Sequence, residues 1–227
     1  MGLWSSVCSA VSSFVSSCCS VVSNAVSNIG KALVTGATKL LELAGKELSE
    51  VCELIRKIGV ALGVIEDDED IDELGAKAME ADKKPEDFEY VSDYIQYLKD
   101  EVQLDREKFE KADDKTKAAR KAVGAIIVAK GIEEKKDTNI PMDFWVEAAR
   151  HKMKSDEIDK VISMFKEEKM ENNFGDYLKG NLDYKTETKT GNMLVKMYKD
   201  LEPNLSIEEI EEKIMSMENK TQKGGDF

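Results

Sequence analysis

The sequence predicts an all-α protein, with a long amphipathic and largely apolar N-terminal helical segment followed by an acidic multi-helix bundle. Three observations carry that prediction. No Asp, Glu, Lys, Arg or His occurs between Gly2 and Gly30, and Lys31 is the first charged residue. Only 3 Pro and 14 Gly interrupt 227 residues rich in Glu, Lys, Ala, Leu and Met, a composition that favours helices. Apolar residues recur at helical steps, and no segment of the second half reads as a strand.

The first element repeats a short unit through residues 7–29: Ala10-Val11-Ser12-Ser13, Phe14-Val15-Ser16-Ser17, Cys18-Cys19-Ser20, Val21-Val22-Ser23-Asn24, Ala25-Val26-Ser27-Asn28. Its mean step of about 3.8 residues is near the helical 3.6, so one face is apolar and the other is Ser/Asn. Val and Ser each cost up to about 0.7 kcal/mol relative to Ala in a helix, so lipid or a packed neighbour has to stabilise it. Residues 32–65 continue the stripe with charges added, through Leu33, Leu40, Leu41, Leu43 and Leu48, then Val51, Leu54, Ile55, Ile58 and Leu62. Gly59 and Gly63 form a small-xxx-small motif, which in a membrane lets two helices approach closely and in water marks a loose helix end.

The run Glu66-Asp67-Asp68-Glu69-Asp70 reads as a solvated hinge leading into a helix at Ile71. Asp68, Asp70 and Asp72 have the spacing of a calcium loop, but Glu73 stands where Gly is needed and Met79 where the bidentate Glu is needed. Beyond it, Pro85 opens a helix through Phe88, Val91, Ile95, Leu98 and Val102. A helix from about Asp114 to Gly131 is apolar enough to be the central core element. Asp143 starts the helix of Phe144 and Trp145, which read as core. Ser155 caps a helix through Ile158, Val161, Ile162 and Phe165, and Asn173-Phe174-Gly175 begins a short one. Ser206 and Glu209 form a capping box ahead of Ile210, Ile214 and Met217. The expected organisation is a charge-poor segment over residues 1–65, an acidic helical domain over 66–218 and a frayed tail over 219–227.

Charge and cysteine usage narrow the function. Of the net −13, residues 1–65 hold +1 and the remainder −14. A body of that sign repels phosphate, and no basic stripe with interleaved aromatics is present, which argues against nucleic acid. Cys8, Cys18, Cys19 and Cys52 match no zinc spacing and read as small apolar residues in a reducing cytoplasm; no basic n-region marks a secretory signal. His151, the lone histidine, lies between Arg150 and Lys152 and reads as solvated. No nucleophile elbow, Walker loop or dinucleotide fingerprint is present, so the expectation is a protein that is not an enzyme, with no catalytic residue, metal or cofactor. The Met residues, among them Met193, Met197, Met215 and Met217, read as adaptable core.

Three readings remain for the uncharged segment. In the first it is membrane-active, with Leu3 and Trp4 at the interface and Val7, Val11, Phe14, Val15, Cys18, Val21 and Val22 facing acyl chains. Several such helices together would put their Ser/Asn faces around water, as a pore does. In the second those residues, with Gly59 and Gly63, pack helices in a homo-oligomer or a larger assembly. In the third, Met1-Gly2 with Ser6 directs myristoylation and the cysteines carry palmitate. The expected partners are membrane lipid, further copies of the chain and a protein docking on the acidic domain. An apolar N-terminal segment ahead of an acidic helical body is a layout that membrane-active effectors and assembly proteins share, by analogy of layout alone.

Overall fold

In the computed structural model the backbone is described for residues 3–43 and 45–224, and the side chains for 12–43 and 45–221. Among these residues there are twelve α-helices, one 3₁₀ turn and no strand. They form two compact units, residues 1–135 and residues 136–227.

Unit 1 holds α1 (Leu3–Asn24), α2 (Val26–Leu41), α3 (Lys46–Ala61), α4 (Ile71–Glu80), α5 (Val91–Asp100), α6 (Arg106–Glu110) and α7 (Asp114–Lys136). α7 is the expected central helix. Ala119, Ala122, Val123, Ala125 to Val128 and Ile132 are buried all around it, so it has no polar face to give to water. Other helices reach it at small residues. A Cβ on Gly75 of α4 would sit 1.9 Å from the Arg120 carbonyl oxygen, and one on Gly124 of α7 would sit 1.8 Å from that of Ile71. The backbones of α4 and α7 therefore cross in direct contact, which only a residue without a side chain allows. Gly36 of α2 faces Ile126, and Gly59 of α3 faces Val128.

The acidic run lies inside unit 1, and the compact units part at Lys135–Lys136 instead. The physical reason is in its flanks: Ile65 and Ile71 are 6% and 3% exposed. The run is a solvated loop pinned at both ends by core isoleucines. Asp70 caps α4, its carboxylate accepting from the Asp72 N–H at 2.8 Å. Pro85 starts only a 3₁₀ turn, Pro85–Asp87, and the helix proper begins at Val91. Phe88 stays extended because its ring packs on Tyr94 and Tyr97 at 5.4 and 5.2 Å.

Unit 2 holds α8 (Met142–Arg150), α9 (Ser155–Glu167), α10 (Phe174–Lys179), α11 (Tyr184–Leu201) and α12 (Ile207–Gly224). As the sequence predicts, Phe144 and Trp145 are core, fully buried with Phe165, Phe174 and Tyr198. Ser155 is one residue inside its helix. The exposed N–H of the cap residue Lys154 is instead taken by the Glu157 carboxylate at 2.8 Å. The capping box at α12 forms as read: the Ser206 N–H donates to Glu209, and the Glu209 N–H to the Ser206 hydroxyl. α12 does not fray at Asn219. It continues to Gly224, because Thr221 is buried, 3% exposed, and hydrogen-bonded. Residues 225–227 lie outside the described residues.

Three helices of unit 2 end alike. After α8, α9 and α10 the chain turns through a left-handed residue, Lys152, Lys169 and Gly180 respectively. At each end a reversed pair of backbone hydrogen bonds closes the last turn, as in Met153 N–H to Ala148 and Lys152 N–H to Ala149, both 3.0 Å.

Candidate functional site

α1 carries most of the candidate positions. It is one unbroken helix of 22 residues without an ionisable group except its thiols. Three of its described serines turn their hydroxyls onto their own helix. Ser16, Ser17 and Ser20 donate their hydroxyls to the carbonyls of Ser12, Ser13 and Ser16, four residues back, at 2.8, 2.8 and 2.9 Å. A hydroxyl bonded into its own helix loses less on leaving water than a free one.

One seam of this helix is already used. Cys18 and Val22 are fully buried in unit 1, with Val15 half-buried one turn earlier. Phe14 lies beside the seam at 36% exposure, and Val21 is half-buried. The side chains of Leu3, Trp4, Val7 and Val11 lie outside the described residues. α1 packs mainly on α2, which is joined to it at Ala25. α2 has 16 residues and a kink at Gly30, so it is shorter than α1 by more than a turn. Because the two are joined at the C-terminal end of α1, the excess falls at its N-terminal end. Gly30 needs its positive φ of 74°, and a Cβ there would lie 2.4 Å from both Glu86 carboxylate oxygens.

Gly59 and Gly63, the two glycines of the small-xxx-small motif, do separate jobs. Gly59 lets α3 close on Val128. Gly63 ends α3 with φ 66°, the Val64 N–H reaching back to the Gly59 carbonyl at 2.8 Å and the Gly63 N–H to Val60 at 2.9 Å. Both are packing devices within unit 1. The thiols of Cys18, Cys19 and Cys52 are free, and burial pushes that of Cys52 up to about 12.

Unit 2 holds a polar cluster that local sequence did not announce. Glu147 is fully buried, and the side chain of His151 is 2% exposed. Thr221 Oγ1 donates to Glu147 Oε2 at 2.7 Å and lies 2.8 Å from His151 Nε2; Arg150 donates to Glu147 Oε1 at 2.8 Å. With the Thr221 proton spent on Glu147, the network assigns the ring proton of His151 to Nε2. Nδ1 is then a bare acceptor, and it is buried with no partner. Burial would raise the Glu147 carboxyl, but the bonds from His151 and Thr221 and the charge of Arg150 hold it below its usual range. His151 is thus buried and not solvated. The arrangement ties α12 to α8. It offers no attacking atom to a substrate, since the Thr221 hydroxyl is enclosed and already shared between two partners.

The acidic loop and the start of α4 are partly neutralised by neighbours. Lys99 lies 2.6 Å from Glu69 and 3.5 Å from Glu66, while Arg106 grips both oxygens of Glu73 at 2.7 and 2.9 Å. Among the described residues no group of three or more His, Cys, Asp or Glu could hold a metal ion. Among the same residues no helix is long and apolar enough to cross a membrane. No family model, curated protein or solved structure matches the chain.

Proposed function

We propose that this is a membrane-active protein without a catalytic role. Its uncharged N-terminal helix enters a bilayer surface, or permeabilises it when several copies gather, and the acidic helical part binds a partner or regulates entry. One observation carries this reading: α1 remains a continuous helix in which Ser16, Ser17 and Ser20 satisfy their hydroxyls internally and whose N-terminal end outruns α2. Entry at the interface fits an amphipathic helix with Trp4 near its end, as it needs no spanning length. With no basic residue before Lys31, binding rests on apolar insertion and not on anionic lipid.

A second reading, an assembly protein whose N-terminal helix packs in a homo-oligomer or particle, draws support from Cys18 and Val22. That seam of α1 is already committed to protein contact.

Liposome flotation and dye release with the full chain separate the two. Phe14→Asp replaces an apolar ring at the exposed edge of the apolar face by a charge, and losing the burial of a Phe alone costs about 1.5–3 kcal/mol. It should cut liposome partitioning about a hundredfold, while Ser13→Lys on the Ser face should change it far less. Flotation with leakage assigns permeabilisation, and flotation without leakage a peripheral role. Wild-type protein that ignores liposomes and elutes as a large oligomer would replace the membrane reading with the assembly one.

A further inference from the structure

The three most exposed large apolar side chains among the described residues are Tyr184 at 84%, Met215 at 57% and Ile207 at 53%, all in unit 2. They sit in opposite electrostatic settings. On α11, Tyr184, Thr188 and Met193 line a shallow groove with Lys185, Lys189 and Lys196, and the carboxylates Glu167, Glu168 and Asp200 lie past its Met193–Lys196 edge. On α12, Ile207, Glu211 and Met215 recur at i, i+4 and i+8 and so form one stripe, flanked by the exposed Glu208 and Glu212. Neither face serves the fold, because each helix buries another one: Leu194, Met197 and Tyr198 on α11, and Ile210, Ile214 and Met217 on α12.

We infer that the α12 stripe of one copy docks in the α11 groove of a second copy. The groove sets apolar surface among lysines, and the α12 stripe sets two exposed apolar side chains, Ile207 and Met215, among carboxylates. Ile207 and Met215 leave water against Tyr184 and Met193, while the α12 glutamates meet lysines. Lys189 is partly engaged, 3.1 Å from Glu168, but Lys185 and Lys196 make no ion pair among the described residues and are open to a partner. A chain of net charge −13 repels itself over most of its surface, so a local patch of opposite sign selects this pairing over others. α11 and α12 pack on each other within the unit, so a two-fold axis would make the contact twice.

Sedimentation of the full chain over a range of concentrations tests this, with two charge-reversed variants. Lys185→Glu with Lys196→Glu makes the groove acidic, and Glu211→Lys with Glu212→Lys makes the stripe basic. All four side chains are exposed, and melting followed by circular dichroism checks that the fold is kept. Wild type should self-associate, each variant alone should do so about tenfold more weakly or worse, and an equimolar mixture of the two should pair again. A monomeric wild type at every concentration would overturn the inference. So would a variant that associates as tightly as wild type, or a mixture that stays apart. Flotation of the wild type on phosphatidylserine vesicles that is lost in Lys185→Glu/Lys196→Glu, with sedimentation unchanged, would reassign the groove to lipid.

Discussion

Unit 1 and unit 2 are both helical, but they fix their packing by different means. In unit 1 the central helix is apolar on every side, and position is set by shape. Gly75 and Gly124 let two backbones touch, and Gly36 and Gly59 receive Ile126 and Val128. Unit 2 has no such helix. Its amphipathic helices meet around aromatic side chains, and their register is set by polar pairs, one buried and one half-buried. Glu147 holds Thr221 and His151, and Lys213 bridges Glu157 and Glu202 at 2.8 and 2.7 Å. Shape tolerates a change of polarity poorly only at the buried face, whereas polar pairing fails when either partner is lost. The two units should therefore break under different substitutions.

The largest effect is expected at the closest crossing. Gly124→Val would drive a side chain into the Ile71 carbonyl, a backbone atom that cannot rotate away, and should cost about 3 kcal/mol or more. Trp145, buried in unit 2, reports that unit alone once Trp4 is replaced by Phe. Gly124→Val should lower the denaturation midpoint followed by circular dichroism and leave the Trp145 emission transition nearly in place. Movement of both together would show that the contrast between the units is not one of separate stability.

The polar unit should respond next. Glu147→Ala takes the acceptor from the buried Thr221 hydroxyl and one acceptor from Arg150, at about 2–3 kcal/mol, and should move the Trp145 transition. The same carboxylate sets a pH response. Its folded value lies below the ordinary glutamate value near ~4.3, so its contribution is complete above that pH and is lost as pH falls through the depressed folded value. Trp145 melts from neutral pH downward should fall steeply in the acid range for wild type and less steeply for Glu147→Gln. Parallel curves would mean that Glu147 does not drive acid unfolding of this unit. The smallest effect is expected at an exposed cap: Ser206→Ala removes one side of the α12 box and should cost about 1 kcal/mol in the same assay.

The contrast also explains what could be read in the residues. The central helix was legible because Ala122 to Ala129 is apolar without a period, and the α12 box because Ser206 and Glu209 act within one turn. Gly75 and Gly124 carried no signal, since what they touch is far away in the chain. The acidic run looked like a boundary because its own five residues are solvated, but the decisive side chains are the isoleucines on either side. His151 looked solvated beside Arg150 and Lys152. Counting along α8 instead places it seven residues after Phe144 and three after Ala148, on the buried face. Thr221 similarly continues Ile210, Ile214 and Met217 at helical steps. A polar residue at the end of an apolar stripe was the available sign that it had a buried partner.

The three matching helix ends of unit 2 carry one more lesson. Gly180 takes the left-handed turn at no steric expense, but Lys152 and Lys169 take it with a Cβ, against a strain of roughly 1–2 kcal/mol for an L-residue. The fold thus contains its own better solution and applies it at only one end of three. Unit 2 is left with unspent headroom, and two exchanges for glycine at positions already shaped to receive it would draw on that reserve.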